Sequence, residues 1–239
     1  MKDQRKKIML LVEKELAKYQ YVRKKTYDVF IKERNNNIVY SIGFGISHPK
    51  INFFNLYPHI NILYKDVYRI ENLLIGGTSR IPPYVGGTIG TTIGYIMPQK
   101  KFTEWHFSKN EDPTKEAADM INAIINYGFP YFEKYSEKEN MIYDLEIGEY
   151  KETRGVLQPI LYYLRGNTQR AFECIDNYIK KFSTPELEDY EIEILRKLAE
   201  ENGEVYVEEN GTLKYYLEFA ENFRKMVEED AEKTHESNE

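Results

Sequence analysis

The prevailing spacing of hydrophobic residues changes near residue 110, and that change limits what the chain can fold into. Before it, apolar residues recur mostly at every second position; after it, at every third or fourth. The first spacing belongs to strands, whose side chains alternate between two faces. The second belongs to helices, whose faces repeat about every 3.6 residues.

The plainest strand runs from Ile38 to Ile46. Ile38, Tyr40, Ile42, Phe44 and Ile46 are large and apolar, while Ser41, Gly43 and Gly45 are small. One buried face is expected, with Val39 and Ser41 on the more open one. Upstream, Val22 to Glu33 alternates more loosely. It is joined to this strand by Asn35-Asn36-Asn37, a residue type that tolerates the left-handed backbone of tight hairpins. A third strand covers Ile51 to Tyr64, and Pro58 within it points to an edge position or a bulge, because proline cannot donate to a ladder. Thr88–Ile96 and Lys101–Ser108 complete the expected sheet. A helix over residues 4–20 precedes it, on a stripe of Ile8, Leu11, Val12, Leu16 and Tyr19. A short helix follows Tyr64, capped by Asp66 and ended by Gly76-Gly77.

Past residue 110 the signals are helical. Asp112-Pro113 opens a helix that Gly128 closes, and Ser136 with Glu139 has the spacing of a capping box. Residues 156–165 and 168–182 read as a helical hairpin broken at Gly166-Asn167. Thr184-Pro185 opens a helix to Gly203, and Leu213, Leu217, Ala220, Phe223 and Val227 mark the last one. Its end is acidic from Glu228, and fraying is expected from about residue 230. Strands grouped first and helices afterwards predict an α+β fold: an N-terminal helix, an antiparallel sheet of about five strands, and a helical C-terminal half packed on or beside it. Residues 1–135 form the expected sheet domain and 136–239 a helical region packed with it as one unit.

Composition narrows the function. With 41% hydrophobic and 30% charged residues over 239 positions, the chain has material for a core, and wholesale disorder is excluded. No apolar run nears the roughly 18 residues of a membrane helix. The start, MKDQRKKIMLLVEKELAKY, is too charged for a secretory signal, and a lone cysteine, Cys174, makes a reducing cytoplasm the expected compartment. The net charge of −6 conceals a gradient. Residues 1–34 carry 11 Lys and Arg against 5 Asp and Glu, whereas residues 183–239 carry 6 against 18. Residues 35–182 are neutral, and the acidic end carries two charges for each net basic one of the head; that excess would repel a phosphate backbone, so the expectation is against nucleic acid. The 21 tyrosines and 12 phenylalanines fit a coding sequence also rich in Ile, Lys and Asn, or a contact surface such as an assembly component would carry.

Chemistry is sparse. The run GGTIGTTIG (86–94) lacks the lysine of a phosphate loop and keeps a period of two. Its glycines are expected on one strand face, letting a helix pack close. Cys174 lies beside an apolar helical stripe, where it reads as a small hydrophobe. Neither Ser47 nor Ser79 is framed as a nucleophile. Glu104 and His106, two apart on one strand, share a face that His59 could join from a neighbouring strand, a loose acid–base or metal set. His48 and His235 have no such company, and neither HExxH nor a cysteine pair occurs. The expectation is therefore no metal, no cofactor and no catalytic residues. The runner-up is an enzyme of unrecognised type using Glu104, His106 and His59 in a cleft over the sheet.

A tighter feature lies in residues 186–202. At about 100° per residue, Glu186, Asp189, Glu193 and Glu200 fall within about 60° of one another, while Leu187, Tyr190, Ile194, Leu195 and Leu198 take another side. Such a carboxylate stripe is what a basic protein partner would engage, and these four residues are the expected partner-binding set.

The strand NIVYSIGFGIS, the segment LYPHINILYKDVYRIENLL (56–74), TEWHF (103–107), YGFPYFEKYS (127–136) and LYYLRGNTQRAFECI (161–175) together resemble uncharacterised bacterial domains with a helix, an antiparallel sheet and then helices. The likeness spans about residues 4–182. Some domains of that kind are suspected immunity proteins of toxin systems, and they offer no catalytic residues to carry over. The resemblance thus implies a bacterial, non-enzymatic binding protein of immunity type that neutralises a protein partner.

Overall fold

Two long strands organise the fold of the computed structural model, which describes residues 2–47, 52–76, 80–152, 154–183, 189–202 and 210–236. The strands β3 (Ile38–Ser47) and β4 (Phe53–Tyr64) pair antiparallel along their whole length, Ile38 opposite Tyr64 and Ser47 opposite Asn55. β1 (Val22–Lys24) and β2 (Val29–Glu33) extend the sheet on one side. β5 (Ile89–Thr92) and β6 (Trp105–Ser108) both pair with the far edge of β4. The fold is α+β, with a six-stranded antiparallel sheet preceded by helix α1 (Lys2–Ala17) and followed by helices. No helix among the described residues is long and apolar enough to cross a membrane.

Several local expectations change. Pro58 is not on an edge strand. It occupies the gap between β5, which pairs with residues 59–62, and β6, which pairs with 53–56, so the residue that cannot donate sits where that side of the ladder is interrupted. The Asn35–Asn37 turn needs no left-handed residue, since none of the three has positive φ. Instead Asn35 Oδ1 accepts the amides of Asn37 and Ile38, both at 2.8 Å, a side-chain-closed turn. The strand expected over Thr88–Ile96 stops at Thr92 and turns into the short helix α4 (Ile93–Ile96). Gly90 makes room for β4 rather than for a helix, because a Cβ there would lie 2.0 Å from Asn61 Oδ1.

Another concerns β3. Residues Ile38 through Gly43 are buried on both faces, Val39 and Ser41 included, while Ile46 at the strand's end is 38% exposed. One face, carrying Ile38, Tyr40, Ile42, Leu56, Ile60 and Ile62, forms the core with helices that follow the sheet. The other is covered at one end by the short helix α3 (Pro83–Gly86), whose Val85 carbonyl accepts Asn61 Nδ2 at 3.4 Å.

The helix opened at Asp112-Pro113 is not closed by Gly128. It runs as α5 (Thr114–Ala123), a π-helical turn (Ile124–Gly128) and α6 (Phe129–Lys134). Pro130 has no amide and its ring would collide with the carbonyl four residues back in a regular helix; the wider turn relieves that clash. Gly128 lets this helix approach the sheet, since a Cβ there would touch Ile93 and Ile60 at 3.3 and 3.4 Å. The expected capping box does not form, because the Ser136 hydroxyl donates back to the Glu133 carbonyl at 2.8 Å, ahead of α7 (Lys138–Glu146).

By internal contacts the chain divides into one unit of residues 1–69 and 78–143 and another of 70–77 and 144–239, with the divisions falling inside α2 (Lys65–Ile75) and α7. In the second unit α8 (Leu157–Leu164) and α9 (Thr168–Phe182) form the expected hairpin, turning at Gly166 with φ +76°. Asn167 caps α9 by accepting the Arg170 amide at 3.1 Å. α10 (Asp189–Glu201) and α11 (Asn210–Glu236) follow. The buried stripe of α11 is Tyr216, Phe219, Ala220 and Phe223, with Leu217 turned to water. The helix continues to Glu236, beyond the point where acidity alone leads one to expect fraying.

Candidate functional site

Helix α10 carries the expected partner-binding stripe. Glu186 lies outside the described residues, Asp189 begins the helix, and Glu193 and Glu200 are exposed. Positions 189, 193 and 200 fall within about 40° on a helix. Glu193 holds Lys197 one turn on at 3.2 Å, an exposed pair that leaves the stripe acidic and adds little stability. Of the apolar side, Ile194 and Leu198 are each 53% exposed; Leu187 lies outside the described residues. A solitary exposed leucine is ordinary, but two large aliphatic side chains exposed one turn apart are a feature that docking would cover.

A second grouping lies on the less covered face of the sheet. Ser47, Asn55 and His106 stand in a row across β3, β4 and β6, because Ser47 pairs with Asn55 and Asn55 with His106. Glu104, just ahead of β6, reaches the same face, where one carboxylate oxygen accepts the Ser47 hydroxyl and the other accepts Asn55 Nδ2 at 2.9 Å. A carboxylate only accepts, so the amide of Asn55 is oriented with Oδ1 toward His106 Nδ1, 2.9 Å away. An amide oxygen also only accepts. His106 therefore carries a proton on Nδ1, and Nε2 is left for a ligand or proton transfer.

His59 is on the same face but apart from this row. It lies four residues from Asn55 along β4, roughly 13 Å at strand rise, with its ring 4.8 Å edge-on to Tyr57. Burial pushes its pKa down, favouring neutral imidazole. The structure thus joins Glu104 to His106 through Asn55 and leaves His59 out. Asn55 itself carries no sequence signal of its role, since its importance arises only from the register of three strands. Among the described residues no three His, Cys, Asp or Glu side chains converge as a metal site. Cys174 is half-buried on α9, and burial raises its thiol pKa, away from the reactive thiolate. His48 lies outside the described residues. Comparison with protein-family models, curated proteins and solved structures finds no match to the chain.

Proposed function

We propose that this chain is a non-enzymatic binding protein of immunity type, which neutralises a protein partner by covering its surface, with α10 as the contact. The observation that supports this most is the simultaneous exposure of Glu193 and Glu200 beside Ile194 and Leu198. The carboxylates select a basic partner and the aliphatic side chains supply the area that water leaves on docking. The surplus of acid over residues 183–239 adds long-range attraction to the same kind of partner.

The test begins with a partner isolated from the native host and identified by mass spectrometry, and then measures binding rates. Association should slow markedly as salt rises from about 0.01 to 0.15 M, where the Debye length falls from about 30 to about 8 Å, while dissociation changes little. Reversing Glu186, Asp189, Glu193 and Glu200 to lysine should slow association well beyond the effect of reversing the exposed Glu111, Glu137, Glu139 and Glu149. Equal effects would reduce the contact to net charge, and no effect from either set would remove α10 from the interface.

A second reading, an enzyme working on the sheet face, rests on the fixed tautomer of His106. It requires that any activity found be lost in His106→Ala and in Glu104→Gln, with both variants as stable as the parent.

A further inference from the structure

Away from α10 and from the Glu104–His106 row, the first unit contains a cavity of about 70 Å³ lined by Tyr19, Tyr21, Lys32, Tyr40, Phe129, Phe132 and Glu133. Its floor is deeply buried: Tyr21 is 6%, Tyr40 2% and Phe132 1% exposed, whereas Tyr19 and Glu133 stand at the exposed rim. The rings stand in paired walls. Tyr40 stacks on Phe132 at 4.7 Å, Tyr21 on Phe129 at 5.6 Å, and Tyr19 meets Phe129 edge-on at 4.9 Å.

Three features give this cavity a preference for positive charge. Aromatic faces carry negative potential and hold cations within about 6 Å. The Glu133 carboxylate is near enough to both tyrosines to raise the pKa of each, after the larger effect of burial. The chain itself already places a cation there, since Lys32 Nζ is 5.8 Å from the centre of the Tyr21 ring.

We propose that this cavity is a binding site for a trimethylammonium group, with Lys32 as a tethered competitor at its mouth. A bare ammonium is strongly hydrated and must exchange that shell for acceptors, whereas this lining offers five rings beside one carboxylate. A methylated ammonium keeps the charge, sheds water readily and meets ring faces with its methyl groups, the chemistry of aromatic cages. Glu133, on the cavity's lining, would balance the charge.

The test is an NMR titration of the full chain with choline and, in a separate arm, with N-acetyl-trimethyllysine methylamide. The two arms distinguish a free quaternary amine from a modified lysine side chain. The N-methyl protons of the bound probe should move upfield by ring currents. The neutral isostere 3,3-dimethylbutan-1-ol, of the same shape without charge, should bind at least about tenfold more weakly. Glu133→Gln should weaken binding severalfold and Lys32→Met should strengthen it severalfold. Tyr19→Ala, a change at the exposed rim, should weaken binding while the chain keeps a cooperative thermal transition well above the titration temperature. Binding of neither probe, by the parent or by Lys32→Met, would overturn the proposal. So would equal binding of the neutral isostere, or binding indifferent to Glu133 and Tyr19.

Discussion

Glu152 stands five residues ahead of helix α8, and its two carboxylate oxygens accept the amides of Leu157 and Gln158 at 2.6 and 3.3 Å. It thereby takes the place of a conventional cap, which Val156 cannot provide. Burial pushes its pKa up to about 7 in spite of those amides. The native state then holds a proton that the unfolded chain releases near the ordinary glutamate value. The stabilising contribution is complete below the unfolded pKa and is lost as pH rises through the folded one. Urea unfolding of the parent should therefore weaken between about pH 4.5 and 7, by at most about 3 kcal/mol, and Glu152→Gln should flatten that slope. Two glycines provide a second contrast. A Cβ on Gly94 would lie 2.3 Å from the Lys101 carbonyl and 2.7 Å from the Thr103 amide, both backbone, whereas on Gly128 it would meet methyl groups at 3.3 and 3.4 Å. Gly94→Ala should destabilise by about 2–3 kcal/mol and Gly128→Ala by less than about 1 kcal/mol, measured by denaturant midpoints.

At the scale of elements, the turn between α8 and α9 is the segment whose chemistry is most completely local. Gly166 adopts a left-handed conformation that an L side chain resists, and Asn167 satisfies an amide of the next helix. Asn167→Ala should cost about 1 kcal/mol, and Gly166→Ala a comparable amount, seen as lower urea midpoints with unchanged denaturant slopes. The turn was legible because both signals lie within two residues of the bend. The course of the chain through Gly128 was not. Glycine and proline close together ordinarily end a helix, but here the π-turn reconciles Pro130 with continued helix and Gly128 answers to Ile60 of the sheet and Ile93 of α4. That reason lies more than 30 residues away in sequence.

For the molecule as a whole, the charge gradient and the scarcity of metal-ligating groups set two expectations. The purified protein should carry no stoichiometric zinc, iron or manganese by elemental analysis, because among the described residues no three such ligands converge; about one metal per chain, lost in His59→Ala or His106→Ala, would contradict this. Association with a partner should show the salt dependence set out above, since the acid lies at one end of the sequence. By itself the sequence determined the class of each long element and their order, hence the α+β fold, because hydrophobic period is written in neighbouring residues. The acidic stripe is an expectation of helical geometry alone, and of its four residues Asp189, Glu193 and Glu200 fall on α10. Tertiary structure alone decided that Val39 and Ser41 are buried, since the face they occupy is covered by residues distant in the chain. It alone decided that Asn55 joins Glu104 to His106, through strand register. The ring-lined cavity belongs with these. Tyr19, Tyr21, Tyr40, Phe129 and Phe132 are unremarkable aromatics within their own segments, and only the sheet pairing and the π-turn bring their rings to within about 5–6 Å, the range in which aromatic pairs and cations interact.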